Sequence, residues 1–293
     1  VPYLLFGLLY GMALASKLSI WALAVLLPLA GLLAYLKTPS ENRETSVPLI
    51  IRNLAVAGIL AFLTFRFFQP YSFMGPGFFG LKLNPGWLSS MRELSTLMKG
   101  DVDVPYALQW ARRPDTFTIQ NLVLWGLGIP LGVLSLVGLL WMTWRMIKGD
   151  WQKHVLIWSW TVFVLVNQSL TFVKSMRYII SIYPALALIA AWTIFKLFEK
   201  AGVSGVKLKS IPFNWRRMLA VSVTALTIIS TFLWAFAFLS IYQKPVTRVA
   251  ASDWIYENIP AAINLHIEGA DGQKITQPVA YQNTAVISAE TPY

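Results

Sequence analysis

Cysteine is absent from the 293 residues, so no disulfide can staple the fold and no thiolate can hold a metal. Histidine is nearly absent: His154 and His266 stand far apart in sequence, which argues against an imidazole-based metal centre. Acids are also scarce. There are 13 Asp and Glu against 24 Lys and Arg, and none precedes Glu41. Charged residues of both signs make up 13% of the chain, too few to solvate the surface of a water-soluble domain of this length.

Hydrocarbon fills the place of charge. The chain is 56% hydrophobic, its mean hydropathy is +0.58, and its apolar residues fall in blocks of about 17 to 25, the length that crosses about 30 Å of bilayer core. Seven such segments are expected, at Val1–Ser16, Ser19–Leu36, Leu49–Phe68, Ile119–Trp144, His154–Val173, Tyr178–Leu197 and Met218–Tyr242. The polar stretch Lys37–Val47 reads as a loop, and Lys17 marks a tight hairpin between the first two. Val1 leads at once into an apolar helix with no basic n-region or cleavage site, which reads as the interior of a longer polypeptide. The expected fold class is an all-α polytopic membrane protein: about seven transmembrane helices, a long amphipathic outer loop, and the start of a small soluble C-terminal segment. Its divisions are 1–68 (helices one to three), 69–118 (outer loop with an interfacial helix), 119–242 (helices four to seven) and 243–293 (extracytoplasmic tail, with a helix at Val249–Asn258 and strand-like runs beyond it).

A formal charge of +11 would suggest nucleic acid as a partner for a soluble protein. Here the basic residues gather at the ends of apolar segments, which points to membrane lipid and away from nucleic acid. One set of short loops holds Lys37, Arg43 and Arg52, then Arg145, Lys148 and Lys153, then Lys196, Lys200, Lys207, Lys209, Arg216 and Arg217. These alternate correctly to share one face, and crowding of Lys and Arg in short loops marks the cytoplasmic side. The outer loop and the tail carry nine of the thirteen acids and fall on the opposite side. The expected location is therefore the plasma membrane of a prokaryote, with the active face extracytoplasmic.

The outer loop is repeatedly interrupted by apolar residues, among them Phe73, Phe78, Phe79, Trp87 and Trp110, and is expected to rest on the membrane surface. Ser89–Lys99 reads as a short helix capped by Ser89 or Ser90, and the Gly and Pro of Met74–Gly80 and Asn84–Gly86 read as tight turns. Asp101 and Asp103 at i and i+2 point the same way on an extended segment, a pattern that suits a general base or an oxygen site for a divalent cation. A solvated turn would carry the same residues. Arg112 and Arg113 beside Trp110 make either an interface anchor or a phosphate site. Lys174 and Arg177 lie in a connection of about four residues on the outer face; they either lock a helical hairpin by snorkelling or grip a lipid-linked phosphate. Lys17 could join them, although it too can snorkel. Asn167 and Gln168 read as hydrogen-bond partners between helices.

The run Lys174-Ser-Met-Arg177-Tyr178, followed by Tyr183-Pro184 and an Ala/Leu-rich helix, resembles the late transmembrane segment of polytopic glycosyltransferases of the GT-C class, which use polyprenyl-phosphate sugars. This class includes the protein mannosyltransferases and aminoarabinose transferases. Gly11-Met-Ala-Leu-Ala-Ser-Lys17 is similar to a hairpin of those enzymes, and Ala251–Pro260 to the helix that opens their post-membrane segment. Phe68–Gly80 and Ala107–Arg113 look closer to their poorly characterised prokaryotic many-span relatives. The resemblance implies a polyprenyl-phosphate sugar donor, an acceptor it does not specify, and Lys174 and Arg177 as phosphate contacts with Tyr178 nearby; on the reading of the residues themselves, Arg112 or Arg113 could join them. The resemblance also implies the outer loop as lid or acceptor platform. The catalytic carboxylate of the class lies in its first outer loop, so here the catalytic residue is unknown; Asp101, Asp103 or Glu93 could assist the acceptor or hold a divalent cation. No cofactor is otherwise implied. The competing reading is a non-enzymatic membrane transporter or a subunit of an envelope assembly.

Overall fold

The computed structural model describes residues 2–75, 80–102, 104–202, 215–243, 246–258, 263–268 and 272–279. Helices dominate. The chain divides into two compact units, Val1–Thr231 and Phe232–Tyr293. Five helical stretches are long and apolar enough to cross a membrane: Leu18–Lys37, Ser40–Phe68, Ile129–Leu170, Ile180–Lys200 and Trp215–Asn258. Pro2–Ser16 is apolar but shorter. Much of the apolar surface is bare, as at Leu140, Ile147 and Phe195, which is what a protein solvated by lipid tails presents.

In the first unit, α1 (Pro2–Ser16) and α3 (Arg43–Phe68) run side by side in the same direction. Between them the chain forms a 3₁₀ stretch, Leu18–Val25, and then α2 (Leu26–Lys37). Small residues set the α1–α3 packing. A Cβ on Gly7 would stand 2.5 Å from the carbonyl oxygen of Ala57, and one on Gly11 would stand 2.5 Å from that of Ala61. With no hydrophobic drive between helices in lipid, such backbone contact gives van der Waals adhesion instead.

The segment 69–118, called the outer segment only after its expected position, begins with β1 (Phe73–Met74) and β2 (Lys82–Leu83), a short antiparallel pair, and continues into α4 (Pro85–Lys99). It re-enters the bundle through α5 (Phe117–Asn121) and a π-helical turn, Leu122–Gly126. Next come α6 (Ile129–Arg145), α7 (Trp151–Leu170) and α8 (Tyr183–Lys200). Although Ile129–Leu170 is one apolar stretch, it folds back on itself. Trp158 Nε1 donates to Thr143 Oγ1 at 2.7 Å, whereas fifteen residues of straight helix would separate them by about 22 Å. The reversal falls at Gly149, whose φ of 108° is open to glycine and strained for a side chain. α8 returns parallel to α6: Ser135 Oγ donates to the Leu186 carbonyl at 3.1 Å, and Gly138 lies against Ile189 and Thr193.

Several boundaries differ from the expected ones, mostly at proline. α3 starts at Arg43, inside the expected Lys37–Val47 loop, and carries Pro48 within the helix, five residues past its start. The Ile119–Trp144 segment is broken at Gly126–Pro130, where a residue without an N–H fits only the first turn of a new helix. In the same way Pro184 delays α8 to Tyr183, and Met176–Tyr178 and Ile180–Ile182 form 3₁₀ turns ahead of it. α4 begins four residues before Ser89: Asn84, not Ser89 or Ser90, is the cap, its side chain accepting from Gly86 N at 3.0 Å. Phe78 and Phe79 lie outside the described residues, as do Lys207 and Lys209.

The buried core of this unit gathers Ile20, Leu122, Trp160, Leu165, Ile179, Ile182 and Leu186. Ile179, Ile182 and Leu186 have no exposed surface, so the chain just after Arg177 and Tyr178 is anchored. α9 (Trp215–Tyr242) crosses the boundary between the units. The second unit adds α10 (Thr247–Asn258) and an antiparallel hairpin of β3 (Ile263–Glu268) and β4 (Lys274–Val279), in register from Ile263↔Val279 to Glu268↔Lys274.

Candidate functional site

Three segments distant in sequence meet at one end of the first unit: the end of α1, the outer segment, and the connection between α7 and α8. Lys17, just past α1, donates from Nζ to the backbone carbonyl of Arg177. The same ammonium stands 5.6 Å from the centre of the Tyr178 ring. Arg177 lays its guanidinium 5.0 Å from that ring and donates from Nη2 to Tyr178 Oη at 3.1 Å. Burial, and then repulsion from Arg177, push the Lys17 ammonium below the ordinary lysine value. Among the described residues no carboxylate forms an ion pair with Lys17 or Arg177. Two cations held together without a counter-charge on an aromatic floor make a place for an anion.

Lys174 sits three residues away but is used differently. It is buried, and its Nζ donates to Asp115 Oδ1 at 3.0 Å, to the Thr171 carbonyl at 3.1 Å and to the Ser169 carbonyl. A second tie joins the same segments: Phe172 N donates to the Met98 carbonyl at 3.1 Å. Gly100 ends α4 at φ 84°, and a Cβ there would fall 2.8 Å from the Phe172 ring. Glycine therefore serves both the left-handed cap and the close approach. Asp101 follows directly and is exposed.

Of the expected site residues, the structure thus brings Arg177, Tyr178 and Lys17 together and sets Lys174 beside them with its own partners. Arg112 and Arg113 line a shallow surface hollow of about 480 Å³ with Leu108, Gln109 and Ala111. Arg113 donates from Nε to the Gln109 carbonyl at 3.2 Å and stands 4.8 Å from the Phe117 ring. Glu93 is exposed on α4. Asp103 lies outside the described residues, so its pairing with Asp101 is not described; among the described residues no three His, Asp or Glu gather as a metal site would need. Gln168 is not a bridge between helices through its side chain: Nε2 donates to the Val173 carbonyl, five residues on in the same connection.

Sequence reasoning missed three features. Asp115 had no local pattern to mark it. The pair Gly7 and Gly11, matched by Ala57 and Ala61, was visible as small residues four apart. The third is an apolar groove of about 330 Å³ between α1, α2 and α3, lined by Phe6, Tyr10, Leu14, Leu27, Gly58 and Phe62 among others. Phe6, Tyr10 and Leu14 form one stripe of α1, whereas Lys17 stands just past the helix on extended backbone (φ −153°) and is not part of the lining.

No protein-family model, curated protein or solved structure matches the chain.

Proposed function

We propose that the chain is the membrane portion of a glycosyltransferase that moves a sugar from a polyprenyl-phosphate carrier to an acceptor at the extracytoplasmic face. The observation that carries this reading is the Lys17–Arg177–Tyr178 cluster, two cations that have no carboxylate partner among the described residues; an apolar groove lies separately between α1, α2 and α3. A lipid-linked phosphate has the matching form, an anionic head on a hydrocarbon chain. The proposed topology has seven crossings, with α1 as a short span and α6 and α7 as two spans joined by the reversal at Gly149. The proposed membrane is the plasma membrane of a prokaryote, with the Lys17 end outside.

In such a transfer an acceptor oxygen or nitrogen bonds to the sugar's anomeric carbon as the bond from that carbon to the phosphate oxygen breaks. The acceptor's proton passes to a carboxylate, and the phosphate leaves on its carrier with the developing negative charge. Lys17 and Arg177 would stabilise that charge, the part of the barrier on which fixed cations act most. In this reading the exposed Asp101, next to the α4–Phe172 tie, is the carboxylate that takes the acceptor's proton. A transporter would concentrate polar groups or broken helices near mid-membrane; here, apart from Arg52 well inside α3, the described Lys, Arg, Asp and Glu of the spans lie towards their ends or at the Gly149 reversal.

The test is transfer of radiolabelled sugar from polyprenyl-phosphate donors by membranes carrying the full-length protein. Arg177→Ala at equal expression is expected to lower turnover by about 10²-fold, the usual loss when one charge-stabilising group is removed. Absence of transfer by the native protein with every donor class tried would overturn the reading.

A further inference from the structure

We infer that the Lys174 ammonium is an anion site occupied by the chain's own Asp115, and that a phosphate oxygen takes the place of that carboxylate and so releases the outer segment. The inference rests on the carrier-phosphate reading above and adds how the site admits its ligand.

An ammonium has three donors and no more. Those of Lys174 are taken by Asp115, Ser169 and Thr171, so a phosphate can bond to it only if one acceptor leaves. The two carbonyls belong to the end of α7 and the residue after it, and moving them would unwind that end. Asp115 is the acceptor free to go, with its side chain 69% exposed while that of Lys174 is 5% exposed. A buried ammonium left without a counter-charge is strongly disfavoured. The carboxylate therefore departs when another anion arrives and otherwise stays.

The surroundings favour this exchange. Arg112 and Arg113 stand three and two residues before Asp115 on exposed chain, and Arg113 spends one donor, Nε, on a local carbonyl. Their charge draws an incoming phosphate toward Lys174. The other tie, Met98 to Phe172, is a backbone bond between uncharged groups and does not respond to anions. What loosens is the stretch leading up to Asp115, while α4 keeps its place. The contact is thus an internal competitor that holds the segment down until a phosphate is bound.

Hydrogen exchange of backbone amides between residues 104 and 113 tests this in the full chain, held in nanodiscs, with inorganic phosphate and then polyprenyl phosphate as probes. In the native chain either phosphate is expected to speed exchange about fivefold, the scale of one partly exposed ion pair. Asp115→Asn should exchange at the raised rate without phosphate and respond no further, and Asp115→Glu should keep the response. Native exchange indifferent to both probes, or Asp115→Asn protected like the native chain, overturns the inference. Sugar transfer that depends on Arg177 without any response of this segment would overturn the exchange alone. A phosphate response in a protein that transfers no sugar would leave the exchange standing and overturn the transferase reading.

Discussion

Gly58 faces the groove between α1 and α3, and a Cβ there would meet nothing within 4 Å, whereas Gly7 and Gly11 on α1 have no room for one. The groove thus exists partly because one residue of α3 has no side chain. Gly58→Phe is expected to fill it while leaving the helices in place, so thermal unfolding should stay at or above the native midpoint, since a helical glycine is itself worth about 1 kcal/mol less than a residue with a side chain. A clear fall in midpoint would mean that the space is not open. Asp115 and Lys174 teach a different lesson at this scale. They are separated by 59 residues, and nothing near Asp115 in sequence distinguishes it from a surface acid. A pairing that depends on how two loops dock cannot be read from either loop.

At the scale of elements, α1 and α3 are in backbone contact at two successive levels, Gly7 on Ala57 and Gly11 on Ala61. Gly11→Leu is expected to destabilise the bundle by about 1–3 kcal/mol, the range for overpacking a filled contact, and more if the helices must part. Urea or thermal titration in detergent would measure it; a change within about 0.5 kcal/mol, the scatter of surface substitutions, would contradict the packing. The helices themselves were legible, because runs of apolar residues leave the chain few alternatives in lipid. Their starts were less so. Pro130 and Pro184 each occupy the opening of a helix and Pro48 lies inside one, but expected boundaries drawn from hydropathy alone placed α3 too late and joined α5 to α6. α4 was foreseen from the spacing of Leu94, Leu97 and Met98, but its cap was not. Asn84-Pro85-Gly86 reads equally as a tight turn and as the cap and first turn of a helix, and only the bond from Gly86 N to Asn84 decides.

Over the whole molecule, the two ends of the first unit treat charge differently. The Lys17–Arg177 bond puts the end of α1 and the approach to α8 at one end, and therefore Arg145, Asp150, Lys153, Lys196 and Glu199 at the other. At that far end several cations meet acids or an aromatic ring: Asp150 pairs with Arg145 and Lys153, Glu199 pairs with Lys196, and Lys200 stands 4.4 Å from the Trp141 ring. At the near end Lys17 and Arg177 share a tyrosine and, among the described residues, no carboxylate. The account rests on that pair: Lys174 at the same end is held by Asp115, whereas Lys17 and Arg177 are left for a ligand. The direct measurement is retention of polyprenyl phosphate by the purified full chain, read by native mass spectrometry against a neutral polyprenol of equal length. The native chain is expected to hold the phosphate in preference to the alcohol, and Lys17→Gln with Arg177→Ala to lose at least about 10-fold in affinity, the cost of one charge-assisted contact of about 1.5–3 kcal/mol. Equal retention of phosphate and alcohol, or a double variant that binds the phosphate as the native chain does, would contradict it.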